Sequence, residues 1–563
     1  MRRLNDIIRF LGGFRMFREN KGHLQKELFN SFSNMNSKIQ EKLQKSWAPL
    51  YYEHVFCKID ETKFAQLYCL DNGRPNFPVN VLLSLEFIKH QKDYTDEEII
   101  EQFYFNYQIM YALGLRNLGD LYLAPRTLYE FRERIYRYTF ENPGKEDLIF
   151  GQFENLTAHF IKAANLDTQE QRMDSTQIIP NIKLAGRLSL AFDLLMQAVK
   201  VCPPEMLSDA LKEVLHPNYK NDVLYRSKNS ELKTRLQQLL KLICELLKII
   251  ESYPEIGGLS EIQLLQRFLE EQTLFDSKSG TWIPKENKEI AANSLQSAYD
   301  QEATYRNKGG KKHVGYVVNI AETCAKENPV QLITDYMVAP NTTSDIQMLK
   351  ERLPGIQAKM AVTDIYVDGG YYGEDICQQT QTSGISMHFT NMTGRKVDSG
   401  KLSFTEFKIE NHKTIISCPA GQAPFRTHFD EKSSVLSAHF DLATCEECPL
   451  KDACRVKFQK KSTVIRMSQK NILTAETRER IHSKSERQEC TSKRAAIEGT
   501  NSALKRAHGA DRLDVRGLAK STLVMGMKII GHNFRQMVRF FTDKVKSKTP
   551  VLPTKQGIPA PTC

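Results

Sequence analysis

Three groups of side chains in this sequence have types and spacings that could do chemistry. Cys418, in Cys418-Pro419-Ala420-Gly421, precedes Cys445-x2-Cys448-x5-Cys454 with 26 residues between the two groups. Four thiolates in two groups are a common layout for a structural zinc site, with His412, His428 or His439 able to replace one ligand; the alternative is a set of buried thiols. Two acids come next. The stretch Arg172-Met173-Asp174-Ser175-Thr176-Gln177-Ile178-Ile179 reads as a strand ending at Pro180, with Asp174 near its start. The run from Met360 to Val367 delivers Asp368 onto the turn Gly369-Gly370, at the carboxyl end of a strand where α/β sheets often bind ligands. A predicted helix over 493–507 places Arg494, Glu498 and Lys505 within roughly 40° of one another around its axis. An ordinary exposed salt-bridged face has the same pattern, since Arg494 and Glu498 are an i,i+4 pair.

These residues need elements to hold them. Residues 1–165 read as helical, with capping boxes at Thr95-x-x-Glu98 and Thr127-x-x-Glu130. Capped short helices predict a DNA-binding module of helix-turn-helix type, or a small bundle without DNA contact. Residues 183–275 are strongly helical. Leu232, Leu236, Leu239, Ile243, Leu246 and Ile250 recur there with alternating spacings of four and three, which predicts a packed helical hairpin and leaves self-association through that seam open. Strand text follows from about 305, including His313 to Ile320 and Gln331 to Val338, read as adjacent strands. Polar strands and the cysteines fill 399–460, and basic helices run from about 470 to 545. The tail 549–563, with Pro550, Pro553, Pro559 and Pro561, is expected to be disordered.

At 563 residues the chain is long enough for several domains, and its 41% hydrophobic and 26% charged residues are ordinary for a globular protein. No stretch has the length and apolarity of a membrane span, because the best one, 184–201, contains Arg187, Asp193 and Lys200. No signal peptide is read at the start, so a cytoplasmic location and reduced cysteines are expected. The net charge of +11 is unevenly placed: residues 455–548 carry 23 Lys and Arg against 8 Asp and Glu. A single-sign block of this size favours a polyanion through counterion release, or else serves solubility.

The motifs together resemble the DDE transposases of bacterial insertion sequences. Asp174 in Met-Asp-Ser-Thr, Asp368 in Val-Asp-Gly-Gly-Tyr and Arg494-x3-Glu498-x6-Lys505 carry the likeness, with Thr491 standing where the family has Tyr. Gly73-Arg74-Pro75-Asn76-Phe77-Pro78, Tyr111-Ala112-Leu113-Gly114-Leu115 and Arg126-Thr127-Leu128-x2-Phe131-Arg132 resemble the family's helical leader. The resemblance spans about 45 to 540. It implies a mixed α/β chain: an all-α N-terminal DNA-binding domain (1–165), a ribonuclease H-like catalytic core (166–182 and 276–548), a helical insertion (183–275) and a small β-rich zinc insertion (399–460). Asp174, Asp368 and Glu498 would be catalytic and hold Mg²⁺ or Mn²⁺. Arg494 and Lys505 would contact DNA near the cut, and Lys493, Arg506, Arg512 and Arg516 would line a groove tracking its backbone.

The need for three carboxylates stands apart from the family. Phosphodiester cleavage and transesterification develop charge on both the attacking and leaving oxygens, and two divalent metals held by oxygen ligands offset it. The implied activity is cleavage at element ends and transfer of 3′ ends to target DNA, by a homo-oligomer bound to double-stranded DNA. A catalytically inactive DNA-binding derivative and a metal-dependent nuclease without strand transfer are the competing readings.

Overall fold

The computed structural model describes residues 15–25, 30–69, 73–145, 147–225, 229–390, 400–482 and 484–548, so the tail 549–563 lies outside the described residues. Helix α1 (Val79–Lys92) buries every residue from Val79 to His90 and ends at Asp93, whose φ of 57° turns the chain out of the helix. A helix buried on all sides has to be central to its region. Helix α2 (Asp96–Phe105) opens with the expected capping box: Thr95 Oγ1 accepts from the Glu98 amide, and Glu98 Oε2 accepts from the Thr95 amide. The second expected box does not form. Helix α3 (Pro125–Glu141) begins at Pro125, whose fixed φ suits the first helical position, so Thr127 lies inside the first turn and caps nothing. Helix α4 (Leu148–Ala164), capped by Asp147, then leads into strand β1 (Glu170–Ile178).

After β1 comes the helical insertion, with α5 (Arg187–Val201), α6 (Leu232–Ile250), α7 (Ser260–Gln272) and shorter helices between them. It is a small bundle closed by an antiparallel pair, Thr273–Asp276 with Thr281–Pro284, and not the simple hairpin expected. Leu236, Leu239, Ile243, Leu246 and Ile250 pack into one core with Leu195, Val199, Leu265 and Phe268. The heptad-like seam is therefore covered by α5 and α7 of the same chain, except at its first residue, the exposed Leu232.

The chain then returns to the sheet through β2 (Thr304–Lys308), β3 (Lys311–Thr323) and β4 (Ile333–Pro340), and continues through α8 (Asp345–Lys359), β5 (Asp364–Val367), α9 (Glu374–Thr382) and β6 (Ser386–Phe389). Across the sheet the order is β4-β3-β1-β5-β6, with β3 antiparallel to both β4 and β1, and with β5 and β6 parallel to β1. Strand β2 pairs with the leading end of β3. Parallel neighbours need a crossover, which α8 and α9 supply. Met173, Ile365 and Val367 pack against Leu349, Leu353 and Ile356 of α8 on one face.

The cysteine-bearing segment makes its own antiparallel sheet in the order β7-β8-β10-β9, from β7 (Arg426–Asp430), β8 (Val435–Phe440), β9 (Lys457–Phe458) and β10 (Thr463–Ser468). The basic segment follows as α10 (Gln469–His482), α11 (Lys484–Ala495), α12 (Ile497–Ala507) and α13 (Leu518–Lys548). The helix expected over 493–507 is thus interrupted at Ala496. On the other face of the central sheet, Ile320, Tyr336 and Val338 share a core with Leu85 and Phe87 of α1, Phe153 of α4 and Ile529 and Ile530 of α13. The N-terminal helices and the sheet are therefore packed as one body. Gly526 is needed there, since a Cβ on it would collide with the Tyr336 hydroxyl. An ionic network reinforces the contact: Arg132 bridges the buried Glu86 (2.7 Å) and Asp96 (2.6 Å), and Lys89 joins Asp96 (3.0 Å) to Asp514 (3.1 Å).

Candidate active site

Asp174 lies in the middle of β1, opposite Ile320 of β3, and is almost completely buried. Asp368 follows β5 directly, on the strand beside β1 and parallel to it, so the order of the sheet brings two distant acids to neighbouring strands. Its Oδ1 accepts from the Gly370 amide at 2.8 Å. A Cβ at position 370 would stand 2.9 Å from Asp368 Oδ1 and 3.1 Å from Asp345 Oδ2, so the Asp-Gly-Gly turn needs a glycine there for space. Glu498 lies in the first turn of α12.

One side chain joins the three acids. The Arg494 guanidinium is 3.4 Å from Asp174, 3.9 Å from Asp368 and 2.9 Å from Glu498. The i,i+4 contact expected on one helical face is present across the break at Ala496, and it also reaches both sheet acids. Burial raises the Asp174 carboxyl above its usual range; Arg494, the Ser175 amide and Lys308 oppose the rise, and Asp368 adds to it. Among the described residues no three His, Cys, Asp or Glu side chains, the four cysteines included, stand as a ready ligand cage, and the three acids are turned toward the arginine.

Further residues, not singled out in the sequence, position the cluster. Asn501, one turn after Glu498, donates to Asp174 Oδ2 at 3.2 Å. Arg172 and Glu322, a buried pair at 2.6 Å between β1 and β3, bind both helices: Arg172 donates to the Lys493 carbonyl and Thr500 donates to Glu322 at 2.7 Å. Asp345, at the start of α8, is a fourth carboxylate beside Asp368, and its Oδ1 is buried without a hydrogen-bond partner. Nothing local marks these residues. An acid after a Ser N-cap or a Thr inside a helix is ordinary text, and their partners lie far away in the chain.

The basic residues expected to face DNA divide. Lys493 bonds Glu170 through both carboxylate oxygens (2.8 and 2.9 Å) and Tyr366 at 3.2 Å, which staples α11 to β1 and β5 and leaves little of the side chain exposed. Burial alone would lower its pKa, but these hydrogen bonds outweigh burial and raise it. Arg512 and Arg516 are exposed yet donate to the carbonyls of Ile182 and Asn181. Arg506 is exposed on α12. Lys505 pairs with Asp511 at 3.6 Å and does not join the acid cluster. Of the residues expected at the site, the structure brings together Asp174, Asp368, Glu498 and Arg494.

Cys418, Cys445, Cys448 and Cys454 all line one small cavity beside the β7-β8-β10-β9 sheet, with Leu402, Phe440 and Val456. All four are free thiols. Thr463 donates to the Cys445 sulfur at 3.1 Å. Burial raises the Cys445 thiol, and the three other thiols add to the rise.

Among the described residues no helix is long and apolar enough to cross a membrane. Two protein-family models match the chain. One, described as Transposase DDE domain, covers residues 417–538 and so spans part of the cysteine-bearing region, Arg494 and Glu498. The other, described as Transposase domain (DUF772), covers residues 42–134 and spans α1 and α2. No curated protein and no solved structure matches.

Proposed function

We propose that the chain is a DDE transposase of a bacterial insertion sequence, which cuts DNA at the ends of such an element and transfers the 3′ ends to target DNA; the two transposase-domain matches support this reading. The observation that carries this reading is the meeting of Asp174, Asp368 and Glu498 around Arg494, from elements 194 and 130 residues apart in the sequence. A ribonuclease H-like core is supported by the strand order β4-β3-β1-β5-β6, in which three antiparallel strands are followed by two parallel ones reached through helices.

The acid cluster suits Mg²⁺ or Mn²⁺, which take oxygen ligands. Asp174, Asp368 and Glu498 supply the oxygens, and Arg494 supplies positive charge in the same place. These residues would hold the metal, whose chemistry there would be to offset charge on the attacking and leaving oxygens of an in-line displacement. The chain's own groups do the positioning. Asn501 orients Asp174, the Gly370 amide orients Asp368, and the Arg172–Glu322–Thr500 contacts hold α12 over β1. Arg494 is placed to turn from the acids to the phosphate being cut, where bidentate donation is strong.

A structural zinc at Cys418, Cys445, Cys448 and Cys454 belongs to the same reading, supported by the convergence of four thiols on one cavity. Duplex DNA is the partner, with the helical N-terminal region and the basic C-terminal helices contributing to its binding, by a homo-oligomer in the DNA complex. The test is incubation with labelled element ends, a supercoiled target and Mg²⁺. Joined products are expected; cut ends that are never joined would leave a nuclease, and no cutting would leave an inactive DNA-binding derivative.

A further inference from the structure

Strands β2 and β3 form a hairpin whose tip is Lys308-Gly309-Gly310-Lys311-Lys312. Both glycines have positive φ (59° and 79°), the requirement of a tight two-residue turn that follows strand twist. From Asn307 to Lys312 every residue is exposed, and Lys308 and Lys311 are directly opposed across the hairpin. Like charges in that position destabilise a hairpin. Among the described residues no carboxylate forms an ion pair with Lys308, Lys311 or Lys312, and Lys308 acts on the Asp174 carboxylate only at longer range.

The hairpin is attached to the acid cluster. Its strand β3 is the antiparallel partner of β1, and Ile178 of β1 is registered against Tyr316, next to Gly315. Gly315 has φ 141°, and a Cβ on it would stand 2.6 Å from the Ile178 carbonyl, so a glycine lets β3 approach the end of β1 closely there. Across that end, Ile179 pairs with the segment holding Arg512. The end of the strand that carries Asp174 therefore lies between the base of the arm and the segment that follows α12. His313, near the tip, is held below its usual range by burial and by the charges of Lys505, Lys308 and Lys311, with Asp511 opposing.

We propose that this arm grips the phosphate backbone of duplex DNA through Lys308, Lys311 and Lys312, at the tip of the hairpin whose strand β3 pairs with the strand that carries Asp174. The inference rests on the transposase reading and names a DNA contact outside the basic C-terminal block. The chemistry that fits is a run of phosphates, because three ammonium groups without ion-pair partners on an exposed turn neutralise charge without reading sequence.

The experiment titrates a labelled random-sequence duplex with the full chain in chelator, across a range of salt. In the triple variant Lys308→Gln/Lys311→Gln/Lys312→Gln the log–log salt slope should fall by about 2.7, at about 0.9 per lost phosphate contact, with a parallel loss of affinity at low salt. The triple Lys→Arg variant should retain both. A second measurement uses the wild-type chain: duplex DNA should slow acetylation of Lys308, Lys311 and Lys312 while leaving Lys350 and Lys413 unchanged. A slope change below about 1 in the Gln variant, or unprotected tip lysines in the DNA complex, overturns the proposal. Wild-type binding with an unchanged variant slope removes the arm alone. Absence of salt-dependent duplex binding by the wild type removes the transposase reading and the arm with it.

Discussion

The Asn501 side-chain amide donates to Asp174 Oδ2 at 3.2 Å, across 327 positions of sequence, and so couples α12 to the acid on β1. The bond fixes one carboxylate oxygen and leaves the other facing Arg494 at 3.4 Å. Replacing Asn501 by Ala should leave the fold intact and slow end cleavage about tenfold, the equivalent of one lost hydrogen bond to a charged group. Rate measurements alongside thermal melts check it; an unchanged rate would mean that Asp174 needs no such orientation.

The Arg172–Glu322 pair predicts a stability effect. Both side chains are buried, and burial pushes the Glu322 carboxyl up while Arg172 and the Thr500 hydroxyl pull it down. Removing one partner strands the other's charge, so Glu322→Ala should cost about 3–5 kcal/mol, and the double variant with Arg172→Met should recover part of it. Urea unfolding of the two variants makes the comparison. Thr500→Val should cost only about 1–2 kcal/mol, because the ion pair itself remains.

Asp96 sets an acid limit on the packing among the N-terminal helices, because its partners Arg132 and Lys89 lie on α3 and α1. Burial would raise its carboxyl, but the Arg132 hydrogen bonds and charge, with Lys89, outweigh burial and hold it at about 2. A depressed folded pKa stabilises the fold above the ordinary carboxyl range, near 4, and that contribution is lost as pH falls toward 2. Melting temperature should therefore fall across this window, and Asp96→Asn should start lower and fall less. Equal slopes for the two proteins would contradict the assignment.

The cysteine cavity predicts one zinc per chain. Purified protein should contain close to one equivalent by metal analysis, and Cys448→Ser should lower both the zinc content and the melting temperature. Less than about half an equivalent, with no effect of the substitution, would leave the cluster as four buried thiols.

Much of this site could be read from short stretches of sequence, for a physical reason. Asp368 stands out because the strand, the acid and the Gly-Gly turn are adjacent, and Asp174 because its strand is bounded by Pro180. Thr95 and Glu98 cap α2 as read because all the atoms involved lie within one turn. Partners that meet only in the fold were not readable. Lys493 reads as a DNA contact in the sequence, whereas in the fold Glu170, 323 positions away, holds it. Thr127 lost its capping role to Pro125, two residues earlier, which starts the helix sooner. The α6 seam looked available to a second copy, whereas α5 and α7 already cover it. Lys308, Lys311 and Lys312 lie outside the basic block that the charge count drew attention to, and only the pairing of β3 with β1 relates them to Asp174.

The central claim is that Asp174, Asp368 and Glu498 act together on DNA phosphates, and its most direct measurement is cleavage of labelled element ends in Mg²⁺ or Mn²⁺ by Asp368→Ala and Glu498→Ala, with duplex binding and thermal melting of the same preparations. The account predicts that cleavage is abolished in both, while folding and DNA binding persist or tighten as repulsion of phosphates is relieved. Wild-type cleavage by either folded variant would contradict it.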